Sequence, residues 1–293
     1  MKDLLEYLQR FGELVTVVKQ NLPDYRYSFM GSEQFLSLGV PKDVNRVYTQ
    51  EVLFRAHSAA LTTIFRNGRW MKGIISAIEG SNYFSFCACL RGLIEAAADA
   101  HVTLLPTCHF LAEHFATIKD ALDGRMESKV IQFHELEDIL IHYSHARKVA
   151  RGEDVPDSHR VKPARQYLEA IEEPGSNKVR ELYAELCEIT HPAALTVHMF
   201  WETKNSTNSE IALVDPDDKG FIIGLASRHS SSIATAFFKS FNPAFLTLYT
   251  LNRLDDERVM TPGMRKINLS TIPAFVTIEK NIKESRSVWK GIS

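Results

Sequence analysis

Long apolar runs, glycine-rich loops, cysteine pairs and a surplus of either charge are all missing from this chain, and each absence removes a class of function. No apolar stretch reaches the roughly 18–20 uninterrupted residues of a membrane-spanning helix, so no span is expected. The opening segment, MKDLLEYLQRFGELVTVVKQNL, sets acidic residues inside its apolar periodicity, unlike the uncharged core of a secretory signal. The expectation is a cytoplasmic protein with no membrane partner. A formal net charge of −2 over 293 residues excludes a uniformly basic, nucleic-acid-coating protein. A local basic cleft stays open, because steering depends on where the charges lie. The cysteines are Cys87, Cys89, Cys108 and Cys187, with no CxxC among them, so reduced thiols are expected rather than disulfides. The glycines are scattered and form neither GxGxxG nor a Walker-type phosphate loop, and GxSxG is also absent.

What is present is helical periodicity. Hydrophobic residues make up 45% and charged residues 24%, which is globular rather than disordered composition. Apolar positions at helical spacing mark residues 3–21, with Pro23 beyond them, and a long stretch from about Val44 to Ile78. Gly80-Ser-Asn breaks that stretch, and Ser81 or Asn82 can cap the next helix, about 82–105, which Pro106 is expected to end. Further helices are expected over 108–122, 127–150, from Asn177, over about 228–254 and near 277–289. A polar, proline-containing loop covers 151–163, and SEIALV and GFIIGL flanking DPDDKG read as a β-hairpin. The predicted fold is mainly α, a multi-helix bundle with a small β-hairpin insertion. Residues 1–257 are read as a single helical-bundle domain with the hairpin near 209–224, and 258–293 as a C-terminal extension packing on the bundle.

The segment NYFSFCACLRGLIEAAADAHVTLL reads as apolar all round, hence centrally buried, yet it carries Arg91, Glu95 and Asp99 at i, i+4 and i+8. At about 40° of drift per step they line one side of the helix. Charges in so apolar a helix need partners or water. Two readings follow: a structural ion network, or a polar cleft between helices that holds an anionic ligand. Some hundred residues on, Pro192 pushes His191 out of helical angles and presents its ring at a helix break, with Thr190 or His191 able to cap the restart. Such a histidine either packs at a kink or serves as an acid–base or phosphate group.

Metals find no pattern. Glu188 and His191 form an ExxH, but a di-iron site needs a second pair, which the chain lacks. The histidines at 134, 142 and 145, and Cys108, His109 and His114, match no zinc-ligand spacing and read as rim histidines. No metal and no cofactor is expected. Trp70 and Trp201 occupy helical apolar positions and read as core.

Two stretches together resemble a known group. CLRGLIEAAADAHVTL, residues 89–104, is similar to the R-x-x-x-E helix of uncharacterised prokaryotic HEPN-like families. LYAELCEITHPAALTVHMFW, residues 182–201, is similar to their later helix, in which a Tyr precedes a small polar residue and a His-Pro pair. The resemblance covers about a third of the chain. It implies a helical bundle, often dimeric, of the kind found in toxin–antitoxin, abortive-infection and other anti-phage systems, several of whose members cleave RNA without metal. Arg91, Glu95 and His191 match its motif positions. The superfamily's nuclease signature, an Arg followed after four to six residues by His, has no counterpart: Arg151 to His159 is too long, and Arg91 meets no His before His101.

These observations give two functional expectations. In the first, Arg91, Glu95 and His191 are catalytic and Asp99, Tyr183 and Thr190 assist in binding, in a metal-independent ribonuclease or a binder of RNA or a nucleotide. In the second, the same cluster fixes helix register in a non-catalytic interaction protein that works through dimerisation or a protein partner.

Overall fold

A computed structural model describes residues 9, 12–13, 15–20, 25–172, 178–205 and 210–290. The protein is mainly α-helical, with one small antiparallel pair of strands among the described residues. The helices are α1 (Ser32–Leu36), α2 (Pro41–Glu79), α3 (Tyr83–Glu113), α4 (Phe115–Leu122), α5 (His134–His145), α6 (Ala164–Ile171), α7 (Val179–Thr190), α8 (Ala194–His198), α9 (Asp218–Arg228), α10 (Ser230–Asn252) and α11 (Pro273–Lys290); the strands are β1 (Trp201–Asn205) and β2 (Glu210–Leu213). The helix expected over 3–21 lies partly outside the described residues, as does the start at Asn177; described residues from 9 to 20 are helical. No described helix is long and apolar enough to cross a membrane.

The chain forms two compact units: Met1–Glu13, Arg66–Ala98 and Ala164–Ser240, and Leu14–Phe65, Asp99–Pro163 and Phe241–Ser293. In the first, Met71, Ile74, Phe86, Leu90, Leu93, Leu182, Leu186 and Phe237 are fully buried. Gly92 lets the Trp70 ring lie against α3, since a Cβ there would come within 2.8 Å of the ring. Trp70 and Trp201 are nevertheless 38% and 41% exposed, so neither is the core residue that its helical spacing suggested.

The second unit buries Leu53, Ile64, Phe115, Phe241 and Phe245 together with polar groups, among which Asn45 and His57 are fully hydrogen-bonded. Asn45, fully buried on α2, donates to the carbonyls of Met126 (3.1 Å) and Lys129 (2.7 Å) and accepts from the amide of Ile131 (2.8 Å). That pins the segment before α5 and helps explain why the helix expected over 127–150 is confined to His134–His145. His57 is fully buried between the Tyr27 hydroxyl (2.8 Å) and Thr261 Oγ1 (2.9 Å). His142 is also buried rather than at the rim, its Nδ1 2.9 Å from the carbonyl of Ser158. The polar segment 151–163 is held at its base, where the Arg147 amide bonds the His159 carbonyl and the Val161 amide bonds that of Arg147.

Three local expectations need correction. α3 does not end at Pro106 but runs through it to Glu113. A proline costs the helix one amide donor; nearby, the Thr107 hydroxyl bonds the Thr103 carbonyl (2.7 Å) and the Cys108 thiol that of Leu105 (3.1 Å). The hairpin is displaced: β2 pairs with Trp201–Asn205, which lies outside the expected 209–224, while GFIIGL is helical within α9. DPDD acts as a helix start rather than a hairpin turn, because the Asp217 carboxylate accepts from the Gly220 amide at 3.0 Å. Neither Thr190 nor His191 caps α8; its N-cap is Ala193, and the Thr190 hydroxyl bonds back to the Leu186 carbonyl at 2.8 Å.

Candidate functional site

Within the first unit, α3 and α7 bring five predicted site residues together. α3 starts where the Asn82 carboxamide accepts the Ser85 amide (2.8 Å), and it buries Phe86, Leu90, Leu93 and Ile94. That phase turns Ala88 and Glu95 to solvent and leaves Arg91 half-buried, so the charged stripe is the helix's wet edge and not a buried seam. α7 buries Val179, Leu182, Leu186 and Ile189, which leaves Tyr183 and Thr190 half-buried beside that edge. Pro192 ends the helix, and His191 is extended at φ −100°, ψ 156° and exposed.

Arg91 is the hub. Its Nε donates to Glu95 Oε1 (3.2 Å), and its Nη1 donates to Thr190 Oγ1 (3.1 Å) and lies 3.2 Å from His191 Nε2. The Tyr183 ring sits under the guanidinium, 5.6 Å from centroid to Cζ, and its hydroxyl donates to the same Glu95 oxygen at 2.6 Å. A guanidinium can only donate, so His191 Nε2 is the acceptor and the ring proton belongs on Nδ1. Burial and the bond to Glu95 raise the Tyr183 hydroxyl above its ordinary range, keeping it protonated. Burial works against the Arg91 charge, but Tyr183, Cys187 and Glu95 outweigh it and hold the guanidinium more firmly protonated than usual.

Two features decide what this cluster can do. The side chains of Arg91 and Glu95 are 26% and 43% exposed, so the network is open to solvent and not a dry interior pair. Among the described residues the Arg91 Nη2 group makes no hydrogen bond, leaving two N–H donors beside the exposed His191 ring. Arg91 and Glu95 cancel in formal charge, so recognition here comes from directed donors rather than from a positive field.

No protein-family model, curated protein or solved structure matches the chain.

Asp99, the sixth predicted residue, lies in the other unit's share of α3 and is half-buried. A second ionic group in the first unit carried no signal in the sequence. Glu185 bonds both Arg228 and His229, the latter at 2.8 Å, and these partners hold its carboxyl below the usual range although burial opposes this. Its members are 43 and 44 residues apart, at no motif spacing. Among the described residues no three His, Cys, Asp or Glu side chains are grouped to hold a metal.

Proposed function

We propose that this protein is a HEPN-like cytoplasmic effector that engages a phosphate of RNA or of a nucleotide through Arg91 and His191. The observation that carries the reading is the open half of the Arg91 guanidinium beside an exposed imidazole whose Nε2 lies 3.2 Å from Arg91 Nη1. Nη2 and Nδ1–H are both donors, and two directed donors suit a phosphate oxygen. In a cleavage step the ribose 2′-hydroxyl would attack phosphorus and lose its proton to the Glu95 carboxylate. The proton that Glu95 takes would pass on to the departing 5′-oxygen while Arg91 and His191 Nδ1–H donate hydrogen bonds to the phosphate oxygens, leaving a 2′,3′-cyclic phosphate and a 5′-hydroxyl. Tyr183 and Thr190 hold Glu95 and Arg91 in place. Leu195 and Val197 on α8, and Ile211 and Leu213 in the hairpin, are exposed apolar side chains that a second copy in a homodimer would cover.

The test is cleavage and binding of end-labelled RNA by the wild type, Arg91→Ala and His191→Ala, with a melting temperature for each. The expected result is a loss of roughly 100-fold in cleavage for either variant, or of at least 10-fold in binding, with melting little changed. Variants that keep wild-type function would overturn the reading. Variants that melt far below the wild type favour the second reading, in which the cluster fixes helix register in an interaction protein.

A further inference from the structure

The Arg91 cluster continues along the helix that carries it. Phe84, Ala88, Arg91 and Glu95 follow one another at steps of four, three and four residues, which holds them within about 60° on one side of α3. All four lie on its wet edge: Ala88 and Glu95 are exposed, and Phe84 and Arg91 are half-buried. Phe84 and Arg91 are two turns apart, roughly 10 Å along the axis. Between them on that line stands only the methyl group of Ala88, so the stretch is shallow and open.

Aromatic rings border this open stretch, all within the first unit. At one end Phe200, the residue before β1, lies parallel to Phe84, with an interplanar angle of 7° and centroids 6.5 Å apart. Parallel rings at that separation are slipped well past each other, so neither covers much of the other's face. Phe200 is accordingly still 39% exposed. Along one flank, Trp70 of α2 rests on α3 at Gly92, the residue after Arg91, and is itself partly exposed. At the far end the Tyr183 ring supports the Arg91 guanidinium. Exposed apolar rings grouped round unused donors mark a surface that meets a partner.

We infer that this stripe binds single-stranded RNA, with a phosphate on Arg91 and His191 and the neighbouring bases stacked on Phe200 and Trp70. The inference rests on the phosphate reading above and extends it to the class of substrate. The donors call for an anion and the rings for flat apolar surface, and a nucleic-acid strand carries the two in alternation. A duplex does not fit, because its base faces are stacked on one another and out of reach of side chains. A free mononucleotide brings one base, whereas the stripe offers two separate rings. Stacking accepts every base, so little sequence preference is expected.

The experiment is fluorescence anisotropy of the full-length chain with a labelled 2′-O-methyl RNA hexamer, whose blocked 2′-oxygen cannot attack the phosphate. Competitors are the unlabelled hexamer, its duplex, AMP and an abasic hexamer that keeps the phosphates and lacks the bases. Arg91→Ala, Phe200→Leu, Phe200→Tyr and Trp70→Leu are compared with the wild type, each with a melting temperature. Phe200→Leu and Trp70→Leu should each weaken the hexamer roughly 10-fold, while Phe200→Tyr stays within about twofold. Phe200→Leu keeps an apolar contact with Phe84 and should melt within about 2 °C of the wild type. The abasic strand, the duplex and AMP should all compete roughly 10-fold less well than the hexamer. The abasic strand tests stacking on the wild type alone, whatever the variants do to folding. Binding that needs Arg91 but is unchanged in both leucine variants would overturn the stacking assignment and leave the phosphate reading standing, as would an abasic strand that competes fully. Competition by AMP or the duplex equal to that of the hexamer would overturn the single-stranded assignment. A wild type that binds no hexamer, or an Arg91→Ala variant that binds it undiminished, would instead remove the phosphate reading, and this inference with it.

Discussion

Arg91 in the first unit and His57 in the second each gather polar partners from distant parts of the chain, yet they sit in opposite environments. His57 is fully buried, and each ring nitrogen meets one hydroxyl. Arg91 is half-exposed, and one of its two terminal nitrogens is unused among the described residues. Complete pairing without solvent is what a structural polar group needs, because an unpaired one would cost more than it returns. Incomplete pairing at a wet edge adds little stability and keeps donors available. Burial, more than residue type, separates the polar groups that hold this protein together from those placed to meet a ligand.

The comparison breaks most readily at Asn45. Its three bonds all go to backbone groups of the segment before α5, so Asn45→Ala strips partners from two carbonyls and one amide at once. The expected cost is about 3 kcal/mol, read from urea unfolding. A loss below about 1 kcal/mol would mean that this segment finds other partners and that complete pairing is not what holds it.

His57 sharpens the same point through pH. Burial pushes its imidazole down from 6.5 to about 4, so the folded protein keeps the ring neutral while the unfolded chain takes up a proton first. Stability from this group is therefore whole above about pH 6.5. It falls as the pH drops toward 4 and levels off below, a difference on the order of 3 kcal/mol. Unfolding free energies measured between pH 7 and 4 should show the slope in the wild type and lose most of it in His57→Leu. An identical slope in both would place the pH dependence elsewhere.

The contrast also explains what the sequence did and did not reveal. Helical spacing located α2 and α3 within a few residues at most ends, because their buried faces repeat faithfully over many turns. The stripe of Arg91 and Glu95 was visible for the same reason, although whole-helix apolarity suggested burial. Ala88 looks like core by composition yet faces solvent beside the stripe. DPDDKG misled because aspartate serves a hairpin turn and a helix cap equally well, and the Asp217–Gly220 bond decides between them. The meeting of Phe84 and Phe200 could not be found at all. A ring stack between distant segments is a property of how they pack, and neither phenylalanine carries a spacing that names its partner.

The smallest expected effect is the most informative about the cluster itself. A double-mutant cycle on Arg91→Ala and Glu95→Gln isolates their charge pairing, since a glutamine at 95 can still accept from Tyr183. With side chains 26% and 43% exposed, the coupling should be no more than about 0.5 kcal/mol, shrinking as salt rises from 0.05 to roughly 0.5 M. A coupling above about 2 kcal/mol that ignores salt would be the signature of a desolvated pair. In that event Arg91 would belong with His57 and Asn45 as a structural group, and the open donors on Nη2 would no longer argue for a ligand.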